Sequence, residues 1–457
     1  MAQRVYALLY YPGAYQRGQG AVKVSGADSP GRGVSDARAR GGAAGNGPAR
    51  APRSHGWNVG ALLEEAMHYT YLIVGGGMAG DAAVRGIREV DERGTIGMLG
   101  AEDHQPYNRP PLTKGLWKGQ PEAQIWRGTA ELGAEVHTGR RAVALDPRAG
   151  AVRDDRGVSY GYDTLLLATG GVPKRLPYGG DDIIYLRTFD DYRRLRAQAE
   201  RTDRFTVIGG GFIGAEIAAA LAMNGKRVTI LFQETGLGGL LFPPALSEFL
   251  NTYYRERGVD VRPGERAAGY ERRGETGILR TTSGAEIAGD GVVAGLGITP
   301  NADLATLAGL RVDGGIVVDE YLRTTDPRIF AAGDAANFYS PVLGRRLRFE
   351  HEDNANTMGH AAGRNMAGRR EPYHHLPFFY SDLFDLGYEA VGDVDSALET
   401  VEDWKEPFRE GVVYYLADGR VRGVLLWNVW EQVENARALI AEPGPFRPET
   451  LRGRLPA

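Results

Sequence analysis

The sequence contains no cysteine. That absence removes a redox-active disulfide, a thiolate nucleophile, a thiolate zinc site and a cysteine-ligated iron–sulfur cluster. Any electron chemistry must then be carried by a bound cofactor. Charge of one sign is also scarce: 54 Lys and Arg against 58 Asp and Glu leave a formal −4, with no global attraction to nucleic acid or an anionic membrane. No apolar run approaches the roughly 18 residues of a membrane span. His374 and His375 mark a loop without metal-ligand spacing, so no metal is expected.

What the chain has in quantity is glycine, 65 residues of 457, and its placement separates the regions. In residues 1–66 Gly, Ala, Arg and Ser dominate without apolar periodicity, which reads as a disordered tail. Met67 stands just before HYTYLIVGGG, so these residues read as a mis-assigned start, with an organelle-targeting leader as the alternative to a cytoplasmic protein. From His68 the pattern becomes strand, tight turn, helix, strand, and RFTVI, GGGFIG, AEIAAALAMNG and RVTILF repeat that order. After Pro372 the rhythm changes to strands, a hairpin turning at Asp418-Gly419 and one late helix.

The expected fold class is therefore α/β, with two Rossmann-like three-layer dinucleotide-binding domains and a C-terminal α+β domain. The boundaries read as a first nucleotide domain over 67–180, a second over 181–300, a return to the first over 301–372, and the C-terminal module over 373–457.

Gly75, Gly77 and Gly80 form one G-x-G-x-x-G frame, and Gly209, Gly211 and Gly214 form another. The first glycine permits the turn, the second lets backbone approach a pyrophosphate, and the third lets helix and strand pack closely. Phosphates then sit against a helix N-terminus, where unpaired N–H groups and the dipole favour negative charge. A single frame is weak, but each here follows an apolar strand, opens a helix and has an acid at a suitable distance. Glu234 lies 20 residues beyond Gly214, where a carboxylate accepts from a ribose 2′-hydroxyl and repels a 2′-phosphate. NADH is favoured over NADPH, with Arg227 left as a candidate phosphate contact.

Glu102 lies 22 residues beyond Gly80, in GAEDHQPYNRPPLTK. Pro106, Pro110 and Pro111 should hold that segment as a rigid extended loop presenting Arg109 and Lys114. RIFAAGDAANF delivers Asp334 at what reads as a strand-to-helix turn, as an N-cap, a polyol ligand or both.

Together GGGMAG, PYNRPPLTK, YDTLLLATGG, GGGFIGAE, GLGITPN and IFAAGDAANF resemble, in order, the two-dinucleotide-binding flavoproteins related to glutathione reductase. Lacking cysteine, the chain is similar to the disulfide-free branch. RFEHEDNANTMGHAAGRNMAG, FFYSDLFDLGYEAVGDVDSALETV and GVVYYLADGRVRGVLLWNV resemble apoptosis-inducing factors most, and ferredoxin reductases nearly as well. The resemblance implies FAD held by Gly75, Gly77, Ala79, Gly80, Glu102, Arg109, Lys114, Lys174, Asp334, Glu350 and His351. It implies NADH held by Gly211, Phe212, Ile213, Gly214, Glu234 and Gly297. Three positions depart from the apoptosis-inducing factor pattern: Ala101 replaces an acid, so that role shifts to Glu102; Leu240 replaces a lysine near the nicotinamide dinucleotide; Tyr380 replaces a tryptophan beside the flavin.

The implied activity is FAD-dependent NADH oxidation, with Lys114 and Glu216 near flavin N5 and His351, neutral or a proton source, near the ring. The helix expected to begin near His351 would stabilise the anionic reduced ring. The acceptor stays open among a ferredoxin, a Rieske protein, a quinone and oxygen. The alternative is a redox-sensing protein whose reduced state controls homodimerisation or docking.

Overall fold

The computed structural model describes residues 7–9 and 67–456. Apart from the short strand Ala7–Leu9, paired antiparallel with Phe349–His351, the expectation of a tail over residues 1–66 lies outside the described residues.

The first repeat begins with Met67–Val74, whose last four residues, Tyr71 to Val74, are all buried, as a strand covered on both faces requires. It pairs in parallel with Ile96–Leu99 on one side and Ser159–Leu167 on the other. Ala134–His137 extends one edge, and Ile329–Ala331 returns from far along the chain to lie parallel to Ser159–Leu167. Two antiparallel strands, Ala151–Asp154 and Ala142–Asp146, complete a seven-stranded sheet.

The second repeat builds a five-stranded sheet that is parallel throughout, in the spatial order Asp260–Pro263, Arg227–Phe232, Arg204–Ile208, Gly291–Ala294, Ile183–Ile184. Between the two sheets the chain passes out through Gly171–Pro173 and back through Ile298–Pro300, and these segments pair with one another.

The third sheet is antiparallel, in the order Phe378–Leu383, Leu386–Gly392, Arg420–Trp427, Glu410–Ala417, Glu399–Glu406. Its hairpin turns at Asp418 (φ 52°) and Gly419 (φ 69°), two left-handed residues whose twist matches the flanking strands, as the sequence predicts. The late helix is Val433–Ala441.

Helix Met78–Arg88 opens from the first glycine turn and packs against helix Glu352–Met366 closely enough that small residues are obligatory. A Cβ on Gly359 would lie 2.3 Å from the Ala79 carbonyl oxygen, and one on Gly363 would lie 2.1 Å from that of Ala83. Because residues 79 and 83 match 359 and 363 in the same direction, the helices run parallel and their N-termini face the same end. Among the described residues no helix is long and apolar enough to cross a membrane.

Candidate functional site

The two glycine turns are structural duplicates. Gly75 (φ 129°) and Gly209 (φ 110°) adopt the left-handed backbone each turn needs. A Cβ on Gly80 would sit 2.2 Å from the Gly75 carbonyl oxygen, and one on Gly214 would sit 1.9 Å from that of Gly209. Gly77 and Gly211, the N-caps of Met78–Arg88 and Phe212–Met223, have no atom within 4 Å of an added Cβ. The tight glycines serve packing, and the open ones leave the helix N-termini bare for a ligand's phosphates. Both repeats border one cavity of about 510 Å³, lined by Gly75, Gly77 and Ala79 from the first and by Phe212, Ile213 and Gly297 from the second unit.

The expected pair lies at the cavity wall, with Glu216 in the lining. Lys114 Nζ is 2.6 Å from Glu216 Oε1, and both side chains are almost wholly buried. Glu216 also accepts from Ser381 Oγ and from Thr113 Oγ1, each at 2.6 Å. One carboxylate thus joins a turn of the first unit, the second binding helix and the C-terminal sheet. Burial pulls the Lys114 ammonium down to about 8, against the attraction of Glu216. Burial likewise pushes the Glu216 carboxyl up, against Lys114 and the two hydroxyls. The Lys114 ammonium sits 5.5 Å from the centre of the buried Tyr380 ring.

The segment before Lys114 is not the extended loop expected. Pro110–Thr113 and Gly115–Lys118 are 3₁₀ turns, since prolines in a first turn lose no hydrogen bond that would otherwise form. The turns fold Glu102 and Arg109 onto each other, 2.5 Å apart. Tyr107 donates to the second Glu102 oxygen at 2.6 Å, and burial is outweighed by Arg109 and Tyr107, which hold Glu102 below the usual carboxylate range.

Asp334 lies on a 3₁₀ turn, Gly333–Ala335, that leads into strand Ala336–Ser340 and not into a helix, and its side chain caps nothing. Instead it accepts from Arg187 at 2.6 Å. Arg187 lines the cavity, but no sequence motif surrounds it, and the sequence reading missed it. Glu350 pairs with Arg348 at 2.6 Å, and burial pushes its carboxyl up to about 7.

His351 is the N-cap of helix Glu352–Met366, as the sequence suggested, and its Nδ1 accepts from the Asn354 N–H at 3.4 Å. An accepting Nδ1 leaves Nε2 as the protonated nitrogen. That Nε2 is buried without a partner among the described residues, although His351 lines the cavity. Burial depresses the imidazole to about 4, so the ring is neutral at pH 7. A neutral donor with nothing to donate to, beside a bare helix N-terminus, fits a polar ligand with an acceptor atom.

Glu102, Arg109, Asp334, Glu350 and Glu216 also line the cavity. Gly80, Gly211, Gly214, Lys114 and Tyr380 are not among the lining residues. Lys174 is held by its backbone N–H to the Gly297 carbonyl at 2.9 Å, while the neighbouring Arg175 reaches the lining. Glu234 follows the C-terminal end of Arg227–Phe232, as Glu102 follows Ile96–Leu99; Arg227 opens that strand at the opposite end, away from the glycine turn. Leu240 is 65% exposed.

Comparison with known proteins agrees with this geometry. The pyridine nucleotide-disulphide oxidoreductase family profile matches residues 69–359, and a profile described as the mitochondrion-associated C-terminal part of apoptosis-inducing factor matches 362–407 and 402–442. A putative mitochondrial apoptosis-inducing factor 1 of Drosophila melanogaster is 31% identical over 82% of this chain, which spans 63% of that protein. A 5,5'-dehydrodivanillate O-demethylase ferredoxin reductase subunit of Sphingobium is 33% identical, covering 82% of this chain and 94% of the relative. Among solved structures, a chain of the covalent putidaredoxin reductase–putidaredoxin complex superposes with a TM-score of 0.78 at 30% identity, over 85% of this chain and 96% of that one.

Proposed function

We propose that this chain, which belongs to the pyridine nucleotide-disulphide oxidoreductase family, is an FAD-dependent NADH oxidoreductase that passes electrons to a separate acceptor. The observation that carries this is the pair of duplicated glycine turns bordering one cavity. Bound FAD supplies the two-electron acceptor that a hydride from NADH requires, and the protein contributes position and electrostatics.

The first turn and helix Met78–Arg88 hold a diphosphate by backbone N–H groups. Arg109 and Arg187 supply cations near it, and Asp334 holds polyol hydroxyls. Glu102 and Glu234, at matching strand ends, accept from the two adenosine riboses. Arg227, at the far end of its strand from Glu234, is not placed to meet a 2′-phosphate there, which supports NADH. His351 donates from Nε2 into the cavity, and the helix it caps biases that end toward negative charge. Lys114 and Glu216 join the first unit to the second at the wall, and Ser381 holds Glu216 from the C-terminal module. The boundaries 67–180, 181–300, 301–372 and 373–457 are proposed as the corresponding domains.

The proposed acceptor is a ferredoxin or Rieske-type protein, supported by the ferredoxin reductases among the relatives. A cytoplasmic location and a homodimer belong to the same reading. Stopped-flow mixing of the FAD-loaded chain tests it. Fast bleaching by NADH, slower bleaching by NADPH and rapid reoxidation by an added ferredoxin are expected. Slow bleaching with a persistent charge-transfer band would favour the redox-sensing alternative.

A further inference from the structure

Six carboxylates line the cavity, and five have strong partners. Glu102, Glu216, Asp334 and Glu350 each have a cation within 2.6 Å. Asp191 accepts from the Thr188 backbone N–H and hydroxyl at 2.8 Å. Glu352 differs. Its one hydrogen bond, from Asn356 Nδ2, spans 3.5 Å, and among the described residues it forms no ion pair.

The groups around Glu352 explain why. Arg127 is the cation whose charge acts on it, but its guanidinium donates to Asp81 at 2.6 Å, Asn108 at 2.7 Å and Asn356 at 2.9 Å. Asp81, fully buried on the packed helix Met78–Arg88, also binds Arg85 and Thr129 and is the carboxylate that Arg127 pairs with. On Glu352's own helix, Asp353 faces His375 and Arg437, and His351 is neutral. Burial pushes the Glu352 carboxyl up to about 7; Arg127 and Asn356 oppose this and Asp353 adds to it. The group therefore has a cavity address, no counterion and a proton that ordinary pH can move.

We propose that Glu352 is a redox-linked proton site, taking one proton from water when a hydride enters the cavity's resident cofactor and returning it on reoxidation. A hydride carries two electrons and one proton, so its arrival adds one negative charge. Uptake of a proton by the Glu352 carboxylate cancels that charge, and no bond forms between Glu352 and the cofactor. The inference rests on the preceding reading that FAD occupies this cavity.

The test is proton uptake by the FAD-loaded protein at pH 7, recorded with an indicator dye during anaerobic photoreduction, alongside the pH dependence of the flavin potential. Glu352→Gln should take up fewer protons per FAD than wild type, by up to one, and should lose a break in the potential–pH curve near neutrality. Glu352→Asp should restore the break at a shifted pH. If E352Q does not retain FAD, Asn356→Ala serves: removing the amide that favours the carboxylate should move the break to higher pH. Identical uptake and curves for wild type and E352Q, an unmoved break in N356A, or loss of the proton in E350Q instead, overturns the assignment. Failure of wild type to hold FAD would instead overturn the reading beneath it.

Discussion

At the scale of single residues, the site is built from charges that satisfy one another, and this is where the sequence is least explicit. Spacing singles out Glu102, Arg109, Lys114 and Glu216 but does not say that they pair as Glu102–Arg109 and Lys114–Glu216. Arg187 and Glu352 carry no motif and become visible only when distant segments meet. Lys114→Met leaves Glu216 buried without its cation and should cost about 3–5 kcal/mol in urea unfolding. Lys114→Met/Glu216→Gln should recover part of that, because the amide carries no charge; an additive loss would contradict the pairing. His351 supplies a pH prediction. Its folded value near 4 lies below the ordinary 6.5, so between those values the unfolded chain binds more protons, and stability falls as pH falls through that window. Denaturation midpoints of wild type and His351→Gln between pH 7 and pH 4 should diverge, with the shallower slope in the variant. Parallel curves would mean that His351 is not held neutral.

At the scale of elements, the sequence was far more legible. Both glycine turns, both binding helices and the hairpin at Asp418-Gly419 follow from local chemistry: left-handed backbone, apolar strand, helix start. The proline segment was misjudged because proline excludes a helix interior but suits the first turn of a 3₁₀ helix. The reach of a carbonyl into a glycine is also silent in one dimension. Gly359→Ala places a methyl against the Ala79 backbone and should destabilise by about 1–3 kcal/mol, with weaker FAD retention as the paired helix N-termini separate. Gly77→Ala meets no protein atom, so it should leave the unfolding midpoint near wild type while FAD retention falls. The unfolding midpoint distinguishes the two, and normal FAD content in G77A after gel filtration would sink the role of that turn as a phosphate cradle.

At the scale of the whole molecule, all three units meet at one buried carboxylate. The order of motifs announced two nucleotide units and a third module of another kind, because strand and helix periods differ along the chain. It did not announce that Ser381 of the third sheet donates to Glu216 of the second unit, a contact spanning 165 positions. The antiparallel module thus braces a lining carboxylate from outside the cavity wall. The proposed function requires that the paired turns seat FAD and NADH in one cavity. Anaerobic titration of the FAD-reconstituted chain with NADH, followed by flavin absorbance, tests it most directly. Complete bleaching at equimolar NADH, slowed when Gly211 is replaced by alanine, is the predicted result. A chain that retains no FAD, or whose flavin stays oxidised with NADH present, would contradict it.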